Sequence, residues 1–377
     1  MSPRSRLIVH TWEAVYAAEF TLDQVRLRSA IIASDMAGRG WGCLVAYDTR
    51  FMGSLFARAI SADLNACGVR SRLAVSPVPL PAVYYALDRK LSDCALVVTA
   101  RKRPYYYNGL VLIAPAPGIA LTTGNSQAQM QFAPLIDSAP APADQPDLRA
   151  DYLESLRGAV DLDLIRRVSL TIFVDAMNGT AAGVFPALLG EGGQTRAIEI
   201  NREPDPLFGK ITPHPAETGL NRLKKLVRES DSHLGLAISA DGTALAVIDK
   251  NGEQLDPTEL ALLLGGYLAR QHRHRGTLVA PPPAAESALA GARISAWEDA
   301  SGVKAELMAS PDTRIAELLE QERPSLLLGI SADGEISLGR MAAYPDAILA
   351  GLLVAEMVAR SGGSLRTLIE SQRELLK

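Results

Sequence analysis

The sequence predicts an α/β protein of three consecutive α/β/α units, each a mixed sheet with helices on both faces. Three observations carry this expectation. Short apolar, strand-like runs alternate with helix-like stretches along the chain. The alternation restarts twice, after a proline- and alanine-rich segment at 138–146 (SAPAPADQP) and after a charged segment at 270–276 (RQHRHRG) followed by three prolines. The length of 377 residues suits two or three domains. The expected divisions are 1–145, 146–272 and 273–377.

In the first unit, CLVAY at 43–47 reads as a strand and 53–67 as a helix ended by Gly68. CALVV at 94–98 and LVLIA at 110–114 are further strands, and their unbroken apolar character predicts cover on both faces. Asn108-Gly109 reads as a turn. In the second unit, strands are expected at 168–174 and 195–200, with helices at 183–189 and 219–229. Two apolar runs at 234–238 and 244–248, separated by turn formers, form a hairpin. The third unit starts with TLVAPPP at 277–283 and should hold a helix at 313–322, strands at 325–330 and 335–338, and a long helix at 345–360. Residues 348–359 are apolar except for Glu356 and too short to span a bilayer, so they read as a buried amphipathic helix.

Bulk properties exclude several classes. A net charge of -4 gives no basic field for nucleic acid or acidic lipid. The N-terminus lacks the apolar core of a signal peptide. Cys43, Cys67 and Cys94 are too few and too widely spaced for a disulfide framework or metal knuckle, and a reducing cytoplasm is the simplest compartment. His214, His272 and His274 form no metal cluster and read as solvated surface residues. Asp48 and Arg50 read as a structural pair at a strand end in preference to a ligand role.

Several segments carry a resemblance in their order and spacing. YDTRF at 47–51 resembles a Y-D-T-R motif, PVPLPAVYYAL at 77–87 a P-T-P segment, and TARKRPYYYNG at 99–109 the motif T-A-S-H-N-P-x-x-Y-N-G. VDAMNG at 174–179 is similar to V-D-P-M-H-G, and NREPDPLFGKITPHPAE at 201–217 to E-P-D-x-x-F-x-x-x-x-P-x-P-x-E. LGLAISADGTALAVIDKNG at 234–252 is similar to the region around D-G-D-A-D-R, and GISADGEISLG at 329–339 falls where G-E-x-S-G-H stands. Together these resemble the α-D-phosphohexomutases, the phosphoglucomutase and phosphomannomutase family, across nearly the whole chain. The resemblance implies three phosphohexomutase-type α/β/α domains. It also implies chemistry in which a phosphoserine donates and accepts a phosphoryl group beside an Mg2+ ion held by three aspartates.

The positions that would carry this chemistry differ here. Arg101 stands at the phosphoserine position, and a guanidinium stays protonated and cannot carry a phosphoryl group. Lys102 and Arg103 replace the neighbouring His and Asn, while Thr99 is a weak substitute nucleophile. Arg101, Lys102 and Arg103 read equally as an anion-binding loop or as a solvated basic turn. In the metal loop the three aspartate positions are Ser239, Asp241 and Thr243, and the arginine position is Ala244. One carboxylate and two hydroxyls make a poor divalent-cation site, so no metal cofactor is expected, and Asp241-Gly242 reads as a hairpin turn. Arg101 is expected to take over charge neutralisation beside Asp241.

Glu13 reverses the charge of a W-R-G arginine, Thr313 aligns with a family lysine, and Ser331 and Asp333 occupy the Glu and Ser positions of the sugar loop. The R-x-S-G-T-E-P run of the family's fourth domain does not occur, so that domain is expected to be absent. The pattern predicts a catalytically inactive pseudoenzyme of carbohydrate metabolism. It would bind a partner, an active sugar-phosphate enzyme or a second copy, or a phosphosugar through Arg101, Lys102, Arg103, Ser331 and Asp333. The alternative is a divergent phosphohexomutase of residual or altered activity.

Overall fold

A computed structural model describes residues 7–115, 144–190, 192–216, 219–285, 287, 289, 291–321, 325–342 and 344–377. Most of the proline-rich segment at 138–146 therefore lies outside the described residues, as does Glu217. The chain divides into two compact units. The first is Met1–Tyr152 with Asn178–Thr180 and Pro204–Pro213; the second is Leu153–Met177, Ala181–Glu203 and His214–Lys377.

The first unit contains β1 (Leu7–Val15), α1 (Leu22–Arg39), β2 (Cys43–Tyr47), α2 (Gly53–Ala66), β3 (Ser71–Leu73), α3 (Leu80–Asp88), β4 (Cys94–Val98) and β5 (Tyr107–Pro115). Helix α1 starts where the Thr21 hydroxyl accepts from Gln24 N and stops at Gly40 in the left-handed region. Its apolar face, with Val25, Ile32 and Met36, packs with Phe56, Ile60 and Leu64 of α2 against the sheet. The sheet order is β1-β5-β4-β2-β3. Strand β2 lies between β3 and β4 and is parallel to both, while β5 runs antiparallel to β4 and to β1. Parallel neighbours need helical crossovers, and α2 and α3 supply them. Every residue of β4 is buried, as its apolar run predicts.

After α4 (Leu148–Ala159) come α5 (Leu162–Arg167), β6 (Thr171–Asp175), α6 (Val184–Leu189), β7 (Arg196–Ile200), α7 (Asn221–Glu229), β8 (Leu234–Ile238) and β9 (Leu245–Asp249). Then follow α8 (Pro257–Arg270), β10 (Thr277–Ala280), α9 (Ile294–Ser301), β11 (Lys304–Leu307), α10 (Pro311–Leu319), β12 (Leu326–Ile330), β13 (Ile336–Ser337), α11 (Ala347–Arg360) and α12 (Leu365–Leu376). The sheets run β7-β6-β8-β9 and β11-β10-β12-β13. Both repeat the plan of the first: a central strand, two parallel neighbours, and an antiparallel strand beyond one of them.

The structure corrects three expectations. Asn108 and Gly109 lie within β5, opposite Ala14 and Glu13 of β1, and form no turn. A Cβ on Gly109 would stand 2.4 Å from Thr99 O and 3.0 Å from Trp12 O, so close backbone approach is what demands glycine. Helix α11 is not amphipathic: Ala347 through Ala359 are all buried, as expected of a helix apolar on every side. Strand β6 begins at Thr171 rather than at 168. Among the described residues, no single helix is long and apolar enough to cross a membrane.

Candidate functional site

The equivalent connection in each sheet, from the third strand to its antiparallel partner, holds the residues singled out above. The β4–β5 loop carries Arg101, Lys102 and Arg103; the β8–β9 loop carries Ser239, Asp241 and Thr243; the β12–β13 loop carries Ser331 and Asp333. All three open alike, with Thr99-Ala100, Ser239-Ala240 and Ser331-Ala332. In each, the hydroxyl accepts backbone N–H groups of its own turn, one at Thr99 and two each at Ser239 and Ser331. The second and third loops share the pentapeptide Ile-Ser-Ala-Asp-Gly, at 238–242 and 330–334, with Gly242 and Gly334 at φ 81 and 79°.

The β4–β5 loop is pinned through its backbone. Thr99 Oγ1 accepts from Arg101 N at 3.0 Å. Arg101 adopts a left-handed φ of 48°. Arg50, 4% exposed, donates through its guanidinium to four carbonyls of this segment. Nη1 reaches Pro104 O (3.0 Å) and Tyr107 O (2.9 Å), and Nη2 reaches Arg101 O (2.8 Å) and Arg103 O (2.7 Å). Asp48 orients Arg50, accepting its N–H at 2.9 Å and standing 3.4 Å from Nε. The Asp48 and Arg50 pair is therefore structural. Phe208, fully buried, lies under the guanidinium with its ring centre 5.2 Å away, and Asp205 closes the turn that contains it by accepting Leu207 N and Gly209 N.

The side chains of this loop differ in exposure. Lys102 and Arg103 are exposed, and Arg101 is half-buried. Arg103 Nε donates to Glu13 Oε2 at 2.6 Å, and this hydrogen bond raises the Arg103 pKa. Glu13 and Arg103, far apart in the chain, thus pair with each other. Thr99 is fully buried.

The β8–β9 loop is closed from within. Asp241 Oδ1 accepts from Ser239 Oγ (2.6 Å), Thr243 Oγ1 (2.8 Å) and Thr243 N (3.2 Å). Ser239 Oγ accepts from Thr243 N (3.1 Å) and Ala244 N (2.9 Å). Every residue from 239 to 244 is buried. In the β12–β13 loop, Ser331 Oγ accepts from Asp333 N (3.2 Å) and Glu335 N (2.9 Å), and Asp333 is exposed. Arg101 belongs to the first unit and Asp241 to the second. Thr313 lies exposed on α10.

Other polar groups were not singled out by sequence. Asp175, fully buried at the end of β6, accepts from Met177 N and Asn201 Nδ2, and burial pushes its carboxyl up. It repeats the turn that Asp48 makes after β2, an aspartate at a strand end being the visible signal. Glu356, 2% exposed, accepts from Tyr267 Oη (2.5 Å) and Asp161 N (3.1 Å), with His272 Nε2 at 3.3 Å and Arg360 Nη2 at 3.7 Å. Its signal was a lone carboxylate in an apolar helix. His272 and His274 correct another expectation: both are half-buried, because the segment after α8 folds back and His274 N donates to Leu268 O. His214 is half-buried as well.

Comparison with known proteins places this geometry. The description phosphoglucomutase/phosphomannomutase, alpha/beta/alpha domain I, matches residues 12–128, and domain II of the same family matches residues 150–252. Phosphoglucosamine mutase 2 of Shewanella frigidimarina is 27% identical over 346 residues, covering 88% of this chain and 73% of that relative. A phosphoglucosamine mutase of Chromohalobacter salexigens is 26% identical over 340 residues, 87% of this chain and 70% of the relative. The crystal structure of a putative phosphomannomutase from Thermus thermophilus superposes with a TM-score of 0.78 at 24% identity, covering all of this chain and 85% of that one. The chain belongs to the α-D-phosphohexomutase superfamily.

The Mg2+ that the resemblance implies would have to be held by the β8–β9 loop. A hard divalent cation takes several oxygen ligands, preferably charged. Here the loop offers one carboxylate, and its Oδ1 already accepts from the Ser239 and Thr243 hydroxyls. This donor set does not fit the ion.

Proposed function

We propose that this protein keeps the phosphohexomutase fold without its phosphoryl transfer and acts by binding. Its ligand is a phosphosugar, whose phosphate suits the cations Arg101, Lys102 and Arg103, or a partner protein such as an active sugar-phosphate enzyme or a second copy. The observation that carries this reading is the β4–β5 loop. An arginine stands at the nucleophile position, and the hydroxyl two residues before it is buried and accepts a backbone N–H. The reading includes no divalent cofactor, supported by the self-closed Asp241 turn. A reducing cytoplasm is supported by three free cysteines.

A coupled assay tests it with glucosamine 1-phosphate, glucose 1-phosphate and mannose 1-phosphate in the presence of Mg2+. No turnover above buffer is expected. Turnover that survives Arg101→Ala would sink the proposal. Thermal shift with the same sugars then separates the two modes of binding, since a ligand specific for the folded state raises the melting temperature. A second reading, a divergent mutase of altered substrate, is favoured by the phosphoglucosamine mutase names of the relatives, and the same assay would reveal it.

A further inference from the structure

The β8–β9 turn does more than fail to hold a cation. The conformation that Asp241, Ser239 and Thr243 close is also the one that joins the second sheet to the third. Thr243 O accepts from Ile336 N at 3.1 Å, Gly334 O accepts from Leu245 N at 3.1 Å, and Gly242 O accepts from Ala347 N at 3.0 Å. Ala244 and Glu335 form an antiparallel bridge between the two hairpins. The β8–β9 turn is thereby bonded to the β12–β13 hairpin and to the first residue of α11.

We propose that residues 239–244 form a metal-independent tie, in which two hydroxyls take the places of cation ligands and neutralise nothing, but satisfy Asp241 and fix the turn that bonds the two sheets. A buried carboxylate requires donors, and a loop rich in carboxylates would need a counter-ion to hold this shape. With Ser239 and Thr243 the donors are covalently part of the turn. Its shape then needs no dissociable component. The inference rests on the metal-free reading of the loop, and the arms below distinguish the two.

Hydrogen exchange and thermal melting of the full chain test the tie. The wild-type melting temperature is expected to be the same in EDTA and in millimolar MgCl2. Asp241→Ala should speed amide exchange at Leu245, Ile336 and Ala347 by about tenfold or more, because the turn opens locally before the fold does. Ser239→Ala and Thr243→Ala, milder changes that each remove one hydroxyl, should do the same to a smaller degree if Asp241→Ala does not fold. Ser239→Asp combined with Thr243→Asp should destabilise the chain in EDTA and regain melting temperature on adding Mg2+.

A wild-type melting temperature that falls in EDTA would overturn the metal-free reading. Unchanged exchange at the three amides in folded variants would overturn the tie while leaving that reading intact. A double variant indifferent to Mg2+ would overturn the claim that the hydroxyls stand at ligand positions.

Discussion

Arg50 in the first unit and Glu356 in the second are buried charges of opposite sign, each satisfied in its own way. Arg50 is 4% exposed and directs its donors to four backbone carbonyls. Glu356 is 2% exposed and collects a phenol, a backbone N–H, an imidazole and a guanidinium. Both solutions satisfy a charge removed from water, but they differ in what can undo them. A guanidinium keeps its proton at every pH a protein survives, whereas a carboxylate can gain one. The difference teaches that the two sites should respond alike to truncation of the buried charge, while acid acts directly on Glu356 and reaches Arg50 only through its carboxylate partner Asp48.

The largest effect should come from Arg50→Ala, which leaves four carbonyls of the β4–β5 segment without their donor. A loss of about 3–5 kcal/mol is expected on the scale of broken buried charge interactions. Chemical denaturation measures it, and Arg50→Lys should rescue little, since an ammonium cannot reproduce the planar fork. A loss below that of a surface residue would break the comparison on the cationic side.

Glu356→Gln should cost less, about 1–3 kcal/mol at neutral pH, as for a buried hydrogen-bonded group left short of its acceptor. Its pH dependence sharpens the contrast. Burial pushes the Glu356 carboxyl up, but the nearby His272 imidazole and hydrogen bonds from Tyr267 and Asp161 N outweigh burial and hold it below the ordinary glutamate value. A carboxyl whose pKa is lower folded than unfolded stabilises the fold above the unfolded pKa, and the contribution is lost as pH falls through the folded value. Acid titration of stability should therefore be shallower in Glu356→Gln than in the wild type. Tyr267 acts at the other end: burial and the adjacent carboxylate raise its phenol well above the usual range, so its contribution is lost only in strong alkali.

The smallest effect belongs to Glu13 and Arg103. Their 2.6 Å pair lies at the surface, with the arginine side chain about half exposed. Glu13→Ala should change stability by less than about 1 kcal/mol, and salt should erase the difference. A larger, salt-independent loss would mean that the pair is holding the loop rather than decorating it.

Legibility from sequence followed the range of the interactions. Strands β2 and β4 were visible because unbroken apolar runs signal burial on both faces, and the β8–β9 hairpin because Asp241-Gly242 is a strong turn signal. Strand β1 was not expected, since His10, Thr11 and Glu13 interrupt its pattern and its partner lies about a hundred residues away, with Glu13 opposite Gly109. Helices α8 and α12 were missed despite their caps at Asp256 and Ser364. In the site, Asp48 and Arg50 were read as a pair because they are neighbours in the chain. The four carbonyls that Arg50 reaches could not be read, because backbone acceptors have no residue identity. Glu13 and Arg103 were each noted as departures, but only the β1–β5 register brings them together.

The pentapeptide that occurs twice, at 238–242 and 330–334, has a consequence for how such loops change over time. One copy buries its aspartate, and the other turns it to solvent. In both, a serine hydroxyl one residue past the strand and a glycine at positive φ set the path of the backbone. Geometry and cargo are therefore separable in this connection: the serine and glycine encode the path, and the residues between and after them are free to carry a different chemistry. A chain with this arrangement can exchange the groups a loop displays while the architecture around it is inherited intact.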